Sequence, residues 1–192
     1  MYAALPDPYC YPGTTILKNR LGLRDQDALD AYELAASTIR ARQPLPTGRF
    51  GVAHYCAVHR HLFQDVYAWA GRIRTIRISK QTSTFCYPEH IRPSLTQRFE
   101  SLRHAGFLRG ASASEFVAGS TRFMAELNAI HPFREGNGRA QLSFLSMLAS
   151  HAGHPLDMER LDPPGMLAAM VESFGGSVEP LATNIAALLP RG

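Results

Sequence analysis

"SASEFVAGSTRFMAELNAIHPFREGNGRAQLSFLSMLASHAG", residues 112–153, reads as two helices joined by nine residues that neither helix absorbs. In the first, Phe116, Val117, Phe123, Met124, Leu127 and Ile130 recur at helical spacing, and Ser112 or Ser114 is placed to cap it. In the second, Leu142, Phe144, Leu145, Met147 and Leu148 leave almost no polar face, so that helix is expected to run through the middle of the domain. Between them, "HPFREGNGR" (131–139) places a tight loop at the N-terminus of the central helix.

Working outward, "DQDALDAYELAASTIRARQ" reads as a helix capped near Asp25 or Asp27, with Leu29, Tyr32, Leu34 and Ile39 as its buried stripe. A shorter helix is expected before it, ending in a turn at Gly22. "FGVAHYCAVHRHLFQDVYAWAG" repeats apolar residues from Val52 to Trp69 and predicts one core helix stopping at Gly71. Only "RIRTIRIS", followed by "STFCYP", has a strand period, which predicts a β-hairpin that must lean on helices. "PEHIRPSLTQRFESLRHAG" returns to helical spacing, and residues 162–190 supply two more helices divided by "GGS" (175–177). The sum is a mainly α, single domain over 1–192 with one hairpin at about 72–91.

The chemistry of the 131–139 loop follows from its residue types. A helix N-terminus presents unpaired N–H groups and the positive end of the macrodipole, and so attracts anions, phosphate above all. Gly136 and Gly138 let the backbone approach a ligand, Asn137 can add an amide donor, and Arg139 can reach back over the same anion. Glu135 beside such a nest makes sense if a divalent cation bridges carboxylate and phosphate. His131, at the end of the preceding helix, is the natural general base for an incoming hydroxyl, while Pro132 ends that helix and Phe133 anchors the loop in the core. Together these describe transfer from a phosphate-containing donor to a hydroxyl.

Composition excludes several other classes. The chain has 192 residues, 45% apolar and 19% charged, with no repeat and no charge block, so disorder and solenoid arrays fit poorly. Cys10, Cys56 and Cys86 are odd in number and lack CxxC spacing, which argues for free thiols. The net charge of +4 reads as a solvated basic face rather than a nucleic-acid surface. No run is long enough to span a bilayer and "MYAALPDPYC" lacks signal-peptide anatomy, so a cytoplasmic protein is expected, or one exported by a route that leaves no cleavable signal. His54, His59 and His61 share a helix without ligand spacing and are expected to be satisfied in the core or solvated rather than metal-bound.

"HPFREGNGR" resembles the signature of the Fic domain family, HPFx[D/E]GNGRxxR, without a gap through Arg139, and "DPYCYPGTTILKNRLGLRD", "HRHLFQDVYAWAGRIRTIRISK" and "STFCYPEHI" resemble stretches of bacterial Fic toxins. The resemblance implies a Fic-type helical domain with a β-hairpin flap over the active site, and AMP transfer from ATP to a Ser, Thr or Tyr hydroxyl of a target protein. It implies His131 as base, Glu135 as magnesium ligand, Gly136, Asn137 and Gly138 as phosphate loop, and Arg139 at the β/γ end. Ser79, Lys80, Thr84 and Phe85 would belong to the flap, which would hold the target segment as an added strand. It also implies the toxin of a toxin–antitoxin pair, with a small antitoxin as partner and gyrase-like type II topoisomerases as targets by resemblance alone.

The chain departs from the signature at its last position, where Leu142 stands in place of arginine. A lost charged contact there would cost roughly 1.5–3 kcal/mol of nucleotide orientation. The alternatives this opens are a different phosphate donor, or a weak nucleotide- or partner-binding module. No [S/T]xxxE[G/N] inhibitory motif occurs in the chain.

Overall fold

Asp25 fixes where the first helix begins: in the computed structural model, which describes residues 7–80 and 83–190, its side chain accepts the Ala28 N–H at 2.9 Å. The helix, α1, spans Gln26–Ala41 and buries Leu29, Glu33, Ala36 and Ser37. The expected stripe is thus corrected: Leu29 is inside, but Leu34 and Ile39 are 63% and 60% exposed. A carboxylate and a hydroxyl take the inner face because they have partners there, described below. The short helix expected before Gly22 does not form. Pro12 and Gly13 turn the chain, Cys10 pairs with Leu17 as an isolated antiparallel bridge, and the Asn19 side chain brackets the backbone of Leu17 and Leu23.

Helix α2 spans Val52–Phe63, eight residues short of the expected end at Gly71. Residues 64–71 instead fold back along the helix, and the Gly71 N–H donates to His59 Nδ1 at 2.9 Å. A Cβ on Gly71 would lie 2.8 Å from the Cys56 carbonyl oxygen, so only glycine permits that approach.

The alternating segment 72–78 is not a strand. Pairing is confined to β1 (Ser79–Lys80) and β2 (Ser83–Thr84), antiparallel with Ser79 opposite Thr84 and Lys80 opposite Ser83. Arg74 breaks the alternation: a strand would aim it at water, but it is 1% exposed and spends its guanidinium on four backbone carbonyls. The side chain of Lys80 lies outside the described residues.

Helix α3 (Pro88–His104) starts on a proline, as a helix N-terminus tolerates. Helix α4 (Ala113–Ile130) starts with a capping box in which Ser112 and Glu115 satisfy each other's backbone N–H groups. Helix α5 spans Asn137–Ala152, and α6 (Pro163–Phe174) and α7 (Glu179–Ala187) close the chain. The core has two parts. One gathers Leu29, Tyr55, Leu95, Phe99, Phe133 and Phe144, the other Phe116, Met124, Leu145, Met166, Leu181 and Ile185. Helices α4 and α5 contribute to both, which is why α5 is apolar on nearly every face. No helix among the described residues is long and apolar enough to cross a membrane.

Candidate active site

The loop between α4 and α5 is held from inside by Asn137. Its side-chain oxygen accepts the Phe133 N–H and its amide donates to the Phe133 carbonyl, both at 2.9 Å, so both ends of the side chain are committed within the loop. What Asn137 offers an anion is its backbone N–H. Phe133 is fully buried and stacks on His59 at 3.8 Å between ring centroids. Gly136 caps α5 at φ 78°, and a Cβ there would meet the Phe63 ring at 2.4 Å, whereas one on Gly138 would meet nothing within 4 Å. The N–H groups of Asn137, Gly138 and Arg139 open α5 and have no carbonyl four residues back within the helix to bond. Glu135 is exposed, with one carboxylate oxygen accepting the Gly136 N–H at 2.8 Å.

His131 is where α4 ends. Its backbone enters the left-handed region (φ 48°, ψ 63°), a conformation that costs an ordinary residue about 1–2 kcal/mol and marks a position held by its surroundings. The Arg74 guanidinium supplies much of that hold, donating to the carbonyls of His131 at 2.8 Å and of Ile130 at 3.3 Å. His131 Nδ1 lies 3.3 Å from the Asn128 carbonyl oxygen. A carbonyl only accepts, so in that contact Nδ1 is the donor. Phe85 is buried and stacks on the imidazole at 3.8 Å, with Phe174 edge-on behind it. The hairpin is moored there: Cys86 N–H donates to the Ala129 carbonyl, and Arg74 bonds the Cys86 carbonyl. Ser79 and Thr84 are exposed on the hairpin.

Arg139 points back across the loop, but toward α1. Nη2 donates to Glu33, Nη1 to Ser37 at 2.9 Å, and the guanidinium lies 4.7 Å from the Phe63 ring centroid. Tyr67 donates its hydroxyl to the other Glu33 oxygen. Burial, and then the Glu33 carboxylate, push the Tyr67 hydroxyl well above the ordinary tyrosine range, so it remains a donor. Glu33, Ser37, Phe63, Tyr67 and Arg74 were not marked by the sequence as site residues. Leu142, one turn beyond Arg139, packs against the second part of the core.

All three α2 histidines bond backbone: His54 to Pro46, His61 to Arg40, and His59 through Nε2 to the Glu135 carbonyl at 2.9 Å. Desolvation by burial lowers the His59 pKa from 6.5 to about 4, opposed by the Glu135 bond. The unfolded chain therefore binds more protons between those values, and stability is full above pH 6.5 and falls as pH drops toward 4. The loss attributable to His59 is about 3 kcal/mol at most, and urea unfolding at pH 7 and pH 4.5 should show a slope that His59→Gln flattens.

A mainly helical domain whose central helix opens on a glycine loop, with a histidine at the end of the preceding helix, defines the class of this protein. The Fic/DOC family model matches residues 49–149, more than half of the chain, and the chain belongs to that family. It is 50% identical over 185 residues to a probable protein adenylyltransferase, y4lH, of Sinorhizobium fredii, with 96% of each chain covered. It is 38% identical over 190 residues to the protein adenylyltransferase VbhT of Bartonella schoenbuchensis, covering 96% of this chain and 39% of that protein. Among solved structures it superimposes on BepC, a VirB-translocated effector of Bartonella tribocorum with AMPPNP bound, with a TM-score of 0.86 at 26% identity over 96% and 97% of the two chains.

Proposed function

We propose that the protein is an adenylyltransferase that moves AMP from ATP to a Ser, Thr or Tyr hydroxyl of a target protein, with the 131–139 loop as its active site. The observation that carries this is His131: held in a left-handed cap by Arg74, with Nδ1 donating to Asn128, it ends α4 at the start of the loop whose other end presents the three N–H groups that open α5. The similarity to y4lH and VbhT, both named adenylyltransferases, and to a structure holding AMPPNP supports the same reading.

In this mechanism the phosphates lie over the N–H groups of Asn137, Gly138 and Arg139, where the helix dipole favours negative charge. His131 Nε2 takes the proton of the target hydroxyl, whose oxygen attacks the α-phosphorus; the bond to the β-phosphate oxygen breaks and pyrophosphate leaves. Glu135 fits a magnesium ion, since its carboxylate is exposed at the loop and keeps one oxygen beyond the Gly136 bond. Such an ion, when bound, neutralises charge shared between the phosphates.

The hairpin acts as a flap: with Phe85 on His131 and exposed Ser79 and Thr84 above, the β1–β2 edge is placed to receive a target segment as an added strand. A small antitoxin would act by covering this edge, because Leu142 cannot receive a carboxylate.

ATP labelled at the α-phosphate should label a lysate protein or the enzyme itself, whereas γ-labelled ATP should not; label from the γ position would sink the assignment. Leu142 favours a second reading, a weak nucleotide-binding module, because it packs into the core and adds no charge at the loop. Leu142→Arg is expected to raise transfer about tenfold, roughly one charged contact. An unchanged rate would show that the leucine is not limiting.

A further inference from the structure

We infer that Glu33 is a positioning residue for this reaction: pinned by Tyr67, it sets the Arg139 guanidinium, with Ser37 and Phe63, at the mouth of the anion loop. The inference rests on the loop being a nucleotide site.

Glu33 is 8% exposed, on a helix face shared with Leu29 and Ala36. Packing α1 on α2 requires no carboxylate there, and an apolar residue of similar size would avoid the desolvation cost. The carboxylate is instead answered twice, by the Tyr67 hydroxyl on one oxygen and by Arg139 on the other. A guanidinium is planar and carries five N–H donors. Here one is on Glu33, one is on Ser37, and the plane is backed by the Phe63 ring. Contacts to a carboxylate, a hydroxyl and a ring face restrain both the position and the tilt of the group, and three donors remain. The same Phe63 ring is what a Cβ on Gly136 would strike, so one side chain fixes both the loop backbone and the cation beside it. Arginine otherwise loses considerable rotamer freedom when it engages a ligand. With leucine at 142, Arg139 is the last cation of the motif, and its orientation matters correspondingly more.

The test is calorimetric titration of the full chain with ATP and with AMP. Glu33→Gln, which keeps the shape and removes the charge, is expected to weaken ATP about five- to tenfold, the size of one oriented charged contact, with AMP changed less than twofold. In an Arg139→Ala background the same change should add no further loss. Ser37→Ala, the milder variant, should weaken ATP about two- to threefold in the same selective pattern. Equal weakening of ATP and AMP would mean that Glu33 only supports the fold; tighter ATP binding by Glu33→Gln would mean that it masks the arginine. Either overturns the inference. If the wild type binds ATP with this pattern yet transfers nothing to any protein, the proposed function fails and the role of Glu33 stands.

Discussion

Arg74→Met is expected to lower the stability of the fold by about 4 kcal/mol, because one substitution orphans four carbonyls that a single cation now satisfies. Those carbonyls belong to Ile76, Cys86, Ile130 and His131, which joins the base of the hairpin to the end of α4. The carbonyls of Ile130 and His131 have no helical partner beyond them, and Arg74 replaces the bonds that a continuing helix would have made. Arg74→Lys should lose less, since an ammonium can donate three bonds but cannot spread them across a fork. Urea unfolding measures both. A loss under about 1 kcal/mol for the methionine variant would show that hairpin and helix end hold without the guanidinium.

The second large effect separates two glycines that look alike in the sequence. Gly136→Ala is expected to cost about 3 kcal/mol, from a left-handed φ combined with a methyl driven into a buried ring. The Phe63 ring cannot readily yield, being fully buried and packed against His59 and Tyr67. Gly138→Ala should instead raise stability by about 0.5–1 kcal/mol, as glycine inside the first turn of a helix is intrinsically unfavourable. Nothing among the described residues opposes a methyl at 138, and under the proposed reading the glycine there serves close approach of a ligand. Gly138→Ala should therefore fold better and bind ATP worse. Improved stability with unchanged ATP affinity would show that the loop does not take the phosphates.

How much of this could be read from the sequence depended on whether a residue's neighbours were local. The α4–loop–α5 unit was legible because capping, helical spacing and the glycine loop are all signals within a few residues. Ser112 and Glu115 form the capping box, and Phe133 anchors the loop as expected. The hairpin was legible as a strand period but not in its extent, because Arg74 trades ladder bonds for carbonyls of α4 more than fifty residues away. The stripe on α1 was misread for the same reason: hydrophobicity favours Leu34 and Ile39, while Glu33 and Ser37 are drawn inside by Arg139, over a hundred residues distant. Buried polar residues leave no periodic trace, and their partners emerge only when the chain is folded. Tyr67 is the intermediate case, legible as core but not as the donor that answers Glu33.

The most direct test of the 131–139 loop as an AMP-transfer site is peptide mass spectrometry of a lysate incubated with the protein, ATP and magnesium, run in parallel with His131→Ala. Removing a general base typically costs a factor of about 10²–10⁴, and His131 is held by its backbone as much as by its ring, so the variant should fold and still bind ATP. A peptide carrying one adenylyl group on a Ser, Thr or Tyr, present with the wild type and absent with His131→Ala, is the expected result. Equal modification by both proteins, or a transferred group of any other mass, would contradict it.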